Sequence, residues 1–129
     1  MKVFLDDIRK PIDCVDYMYY RILNNVPIYL EKWEIVRNYK EFIDLVSKNH
    51  ESITHISFDH DLGEDVAIQQ REKGSTKKKA REVKKDQKNG YDCAKWMKKF
   101  YDDKGIDYPT IYIHSMNPVG FDNIKNCFR

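Results

Sequence analysis

Three features are scarce in this chain of 129 residues, and each scarcity excludes something. Its three cysteines, Cys14, Cys93 and Cys127, are odd in number and show no CxxC spacing. That argues against a disulfide framework or a zinc site, and free thiols in a cytoplasmic compartment are expected. No stretch approaches the roughly 20 apolar residues that span a bilayer, so no membrane role is expected. The opening Met1-Lys2-Val3-Phe4-Leu5-Asp6-Asp7 reaches two acids at once. It lacks the longer apolar region and small-residue cleavage site of a secretory signal. The length fits a single domain.

Net charge is only +2, but it is unevenly spread. From Arg71 to Lys88 the chain carries nine Lys/Arg against three acids, a local +6 that leaves −4 on the remainder. Residues 64–89 hold few apolar side chains and read as a Lys-rich, flexible insertion, either a disordered loop or a solvated helix. Following Gly63 directly, it is expected to act as a flap that draws anions toward a nearby cleft, or as a contact for nucleic acid.

The apolar runs are short and end on chemistry. Lys2-Val3-Phe4-Leu5, Trp33-Glu34-Ile35-Val36-Arg37, Ile53 to Phe58 and Pro109 to Ile113 read as four strands. Helices are expected after Asn38, which Glu41 follows in capping-box register, from Gly90 to Asp103, and after Asn117-Pro118. Strands alternating with helices predict a parallel α/β sheet in three layers. Residues 12–32 are aromatic and lack a clear period; they read as a loop or hairpin-like insertion.

Ligands of open parallel sheets bind outside the carboxyl ends of the strands, and here three such ends carry polar groups. After the first strand, Asp6 and Asp7 form a carboxylate pair whose repulsion a divalent cation would relieve; alternatively, Asp7 caps a turn and Asp6 is solvated. Arg9 suits a phosphate or a surface ion pair. After the third strand, Asp59 is followed by His60, a group able to transfer protons near neutral pH, and by Asp61, which could orient that imidazole, join a metal shell or cap the turn at Gly63. After the fourth, His114 and Ser115 precede Asn117, a helix cap, so that amides near Val119 and Gly120 would face the same end and attract an anion.

The elements LDDIRKP, FDHDLG and HSMNPVG, with the Gly90-Tyr91-Asp92 turn, occur here in the order that resembles the cyclic-phosphate-processing receiver domains of bacteria and phages. The resemblance covers residues 1–11, 33–63 and 90–124. It implies a flavodoxin-like or receiver-like sheet of about four strands in the order 2-1-3-4. By motif, Asp6 and Asp7 match the acid pair that holds Mg²⁺ in ordinary receivers, Asp59 the phospho-acceptor, and Ser115, or His114, the hydroxyl position. The fifth strand and its lysine have no counterpart, since Lys125 falls inside the last helix, and residues 12–32 replace the first helix. His60 and His114 are additions.

Gain of acid-base groups with loss of the relay implies catalysis rather than signalling. The expected activity is a metal-dependent hydrolase or phosphoesterase acting on a cyclic phosphate or related nucleotide. Asp59, His60, His114 and Ser115 are its candidate catalytic groups. Arg9, Asn117 and Gly120 are the phosphate-binding candidates. Asp6, Asp7, Asp59 and Asp61 would hold Mg²⁺, or Mn²⁺. The rival expectations are a phospho-accepting regulatory receiver with Asp59 as acceptor, and a nucleic-acid-binding accessory protein.

Overall fold

The structure, a computed structural model, describes residues 1–18, 23–62 and 88–129, with only the backbone given for 23–26. Gly63 and nearly all of the Lys-rich segment therefore lie outside the described residues, and with them the expected flap.

Four strands, β1 (Lys2–Leu5), β2 (Glu34–Val36), β3 (His55–Phe58) and β4 (Thr110–Ile113), form one all-parallel sheet in the order β2-β1-β3-β4. This is the expected order. The register sets Leu5 against Phe58 and Phe58 against Ile113, so β1, β3 and β4 end on one level.

Alternation along the strands sends side chains to two different layers. Val3, Leu5, Ile56 and Phe58 pack beneath α1 (Tyr39–Asn49), α2 (Gly90–Lys104) and α3 (Pro118–Cys127), meeting Phe42, Val46, Met97 and Ile124. The three helices begin as their sequences predict. Asn38, Asn89 and Asn117 each accept a backbone N–H from three residues on, and Asp92 completes a reciprocal box with Asn89. Gly105 ends α2 in the left-handed conformation at φ 64°.

The opposite face differs from expectation. The described part of residues 12–32 forms no hairpin; it folds as two 3₁₀ segments, Pro11–Cys14 and Leu23–Leu30. Cys14, Met18 and Tyr29 from this region join Trp33 in covering Phe4. Phe4 meets Tyr29 and Trp33 edge-on, and the last two rings stack at 5.5 Å. Aromatic area substitutes here for an amphipathic helix, which explains why no helical period marks the sequence. All three cysteines are free thiols, and burial pushes Cys14 up to about 11. No described helix is long and apolar enough to cross a membrane.

Candidate functional site

The hydrogen-bond ladder of the sheet runs one residue past β1, β3 and β4. Asp6 N–H donates to Val36 O (3.1 Å), Asp59 N–H to Leu5 O (2.9 Å) and His114 N–H to Phe58 O (2.9 Å). Asp6, Asp59 and His114 thus form an extra rung at the carboxyl edge, and all three are buried. One ligand atom from each lies within 4.8 Å of the others.

Asp6 is fully buried rather than solvated. Its Oδ1 accepts from the N–H groups of Ile8 (2.9 Å) and Arg9 (2.8 Å). Its Oδ2 lies 3.0 Å from His114 Nε2 and 3.7 Å from an Arg9 guanidinium nitrogen. Burial alone would raise this carboxyl, but the His114 and backbone hydrogen bonds outweigh it and hold Asp6 below its ordinary value. Asp59 shows the reverse balance. Burial, then the negative charge of Asp6, lifts it from 3.8 to about 7, and a single backbone hydrogen bond from His60 N–H (2.9 Å) offsets this only in part. The two neighbouring acids are thus driven in opposite directions, Asp6 down by its hydrogen bonds and Asp59 up by burial.

His114 faces inward. Its ring stacks on Phe4 at 4.3 Å, Nε2 meets Asp6, and Nδ1 lies 2.7 Å from Ser57 Oγ. Ser57 Oγ in turn lies 2.7 Å from Tyr29 OH, and Tyr17 OH donates to the His114 carbonyl at 2.8 Å. Fully buried like Asp6, and with both ring nitrogens engaged, His114 supports the Asp6 carboxylate. Tyr29, Ser57 and Tyr17 were not among the sequence candidates. The only signal for them is the aromatic density of residues 12–32 and a serine buried at the centre of a strand.

Beside the buried rung, Asp7, Ile8, Arg9, Asp59, Asp61, Met116 and Asn117 line a small cleft of about 70 Å³. That is far below the roughly 300–1,000 Å³ of a pocket enclosing a whole drug-sized ligand. Among the described residues it has room for an ion with its waters or one phosphate group. Arg9, 5.6 Å from the Tyr17 ring centre, supplies the cation on this wall. Three carboxylates are hard oxygen donors suited to Mg²⁺ or Mn²⁺, which bind through a few acids and keep several waters. The donor set fits such an ion: Asp7, Asp59 and Asp61 line the cleft, and the buried Asp6 adjoins Asp59.

Two glycines shape the Asp59-His60 corner. A Cβ on Gly90 would lie 1.7 Å from the Asp59 carbonyl oxygen, and Gly90 N–H donates to His60 O at 2.7 Å. A Cβ on Gly120 would lie 2.3 Å from His60 Cγ. The space at Gly120 is therefore filled by the His60 ring, and its N–H donates to Asn117 Oδ1 at 3.0 Å. The expected phosphate-binding role of Gly120 finds no free amide there. Asn117 is a cap and also a cleft wall. Ser115 is buried, and its Oγ accepts from Asn117 N–H at 3.1 Å. His60 keeps partial exposure, with Nδ1 3.0 Å from Asp61 Oδ1.

No curated protein and no solved structure matches the chain. A family model does, and it runs through both segments expected as insertions. Described as the cyclic-phosphate processing receiver domain, it matches residues 1–129, and the chain belongs to that family, a receiver-like domain tied to cyclic-phosphate processing.

Proposed function

We propose that this domain is a metal-dependent phosphoesterase that opens a cyclic phosphate or a related nucleotide ester. The observation that carries the reading is one small cleft at the carboxyl edge of the sheet with Asp7, Asp59, Asp61 and Arg9 on its walls. Asp6, Asp7, Asp59 and Asp61 would hold the ion. When bound, it would neutralise a phosphate oxygen and the charge that builds on it during reaction.

The chain's own groups supply the rest. Arg9 holds the phosphate by its planar guanidinium. His60, with Nδ1 directed at Asp61, offers Nε2 to take a proton from an attacking water. The water oxygen bonds to phosphorus, one ester P–O bond of the ring breaks, and the proton returns from His60 to the leaving oxygen. His114, which the sequence offered as a second acid, serves instead to hold Asp6.

The test is a panel of 3′,5′-cyclic nucleotides, 2′,3′-cyclic phosphates and cyclic ADP-ribose phosphates with Mg²⁺ or Mn²⁺. At least one should open to a monoester in a chelator-sensitive reaction, and His60→Gln should slow it by about 10²–10⁴-fold. No turnover anywhere in the panel, together with a stable phosphoryl adduct on Asp59 from a small phosphodonor, would assign the domain to phospho-accepting regulation. Strongly salt-dependent RNA or DNA affinity would favour a nucleic-acid role.

A further inference from the structure

The aromatic layer on the Phe4 face contains two hydroxyls that the packing does not need. Tyr29 and Ser57 are 1% and 0% exposed, and each lies 2.7 Å from its neighbour in the series Tyr29 OH, Ser57 Oγ, His114 Nδ1. Burying hydroxyls brings little net stability, since apolar groups of the same shape can replace a bonded pair almost without loss. Phenylalanine and alanine would fill the same layer around Phe4 and Trp33. What the hydroxyls add is direction. His114 could otherwise turn on its Phe4 stack, and His114 Nε2 is the donor nearest Asp6 Oδ2 at 3.0 Å.

We propose that Tyr29 and Ser57 are positioning residues that act through His114 on Asp6. Ser57 donates to Nδ1 and accepts from Tyr29, which keeps the ring hydrogen on Nε2 and aims it at the Asp6 carboxylate. Tyr29, from the 3₁₀ segment Leu23–Leu30, thereby helps to fix a carboxylate at the sheet edge. Tyr17 assists from the same segment by holding the His114 carbonyl, while its ring lies beside Arg9. The link to metal binding rests on the phosphoesterase reading; the link to Asp6 does not.

The variants Tyr29→Phe and Ser57→Ala keep the shape of the layer and remove one hydroxyl each. Using the full chain without metal, ¹⁵N signals of the His114 ring and the ¹³C carboxyl signal of Asp6 report the positioning directly. Ser57→Ala should move both, and Tyr29→Phe should move both less, because Ser57 remains to donate. Tyr29→Phe should melt near the wild type, whereas Ser57→Ala, which takes the shared partner from the buried Tyr29 hydroxyl and His114 Nδ1, should melt lower. Ser57→Thr, which restores the hydroxyl, should return the signals toward wild type. Where Mn²⁺ binds, Ser57→Ala should weaken it about tenfold, the lower end for loss of a group that orients a metal ligand. An Asp6 carboxyl signal unchanged in both Ser57→Ala and Tyr29→Phe would overturn the proposal. A wild type that binds no Mn²⁺ would remove the metal reading, and the Asp6 signal would still decide the positioning.

Discussion

At pH 8 and without divalent ions, Asp59→Asn should be more stable than the wild type by about 2–4 kcal/mol. The sign follows from where the proton sits. Unfolded, the carboxyl titrates near 3.8; folded, burial and the Asp6 charge move it to about 7. Below the lower value both states are protonated and no difference arises. Between the two values the folded state alone keeps its proton, so stability falls as pH rises. Above about 7 the full penalty is present, with a ceiling near 4 kcal/mol at roughly 1.4 kcal/mol per pKa unit. Asparagine avoids that penalty and still offers an oxygen to His60 N–H. Chemical denaturation at pH 5 and pH 8 checks this: the advantage should shrink at the lower pH, and an advantage equal at both would contradict it. Mn²⁺ should stabilise the wild type at pH 8 by mass action and leave Asp59→Asn little changed.

A methyl group at residue 90 should be strongly disruptive. The Cβ of Gly90→Ala would meet three backbone atoms, Asp59 O at 1.7 Å, Asp59 C at 2.7 Å and His60 Cα at 2.9 Å. None of these can swing aside as a side-chain tip can. Either α2 withdraws from the sheet or the Asp59-His60 corner moves, and we expect a loss of about 3 kcal/mol or more, in the range of severe overpacking. The three atoms nearest the Cβ of Gly120→Ala all belong to the His60 side chain. It should lose less stability, yet turnover out of proportion to that loss, because the displaced ring is the proposed proton carrier. Thermal unfolding should place Gly90→Ala well below Gly120→Ala, and rate measurements on the folded Gly120→Ala variant should show the loss of turnover. Full turnover in Gly120→Ala would mean that the His60 ring does not carry the proton.

The central strands were legible because β1 and β3, covered on both faces, read as short largely apolar runs, and β1, β3 and β4 each stop where a polar side chain is fixed on the next rung. The helix starts were legible because Asn38, Asn89 and Asn117 are local signals, read within four residues. The Phe4 face was not. Its 3₁₀ segments have no amphipathic period, and Tyr29 reaches Ser57 across 28 positions through packing that no local pattern encodes. For the same reason the two histidines looked alike in sequence. His60 and His114 each follow a strand beside polar neighbours, yet one ring lies against Gly120 near the cleft and the other lies inside the aromatic layer. Gly120 looked like an open approach for a ligand because the sequence does not show that the His60 ring occupies it.

Calorimetric titration of the full chain with Mn²⁺ at pH 8, wild type beside Asp59→Ala, tests the central claim most directly. The cleft should take up one ion in the wild type, and binding should be lost when Asp59 is removed, although Asp7 and Asp61 remain on its walls. Equal affinity in the two proteins would place the ion elsewhere and contradict a phosphoesterase built on this site.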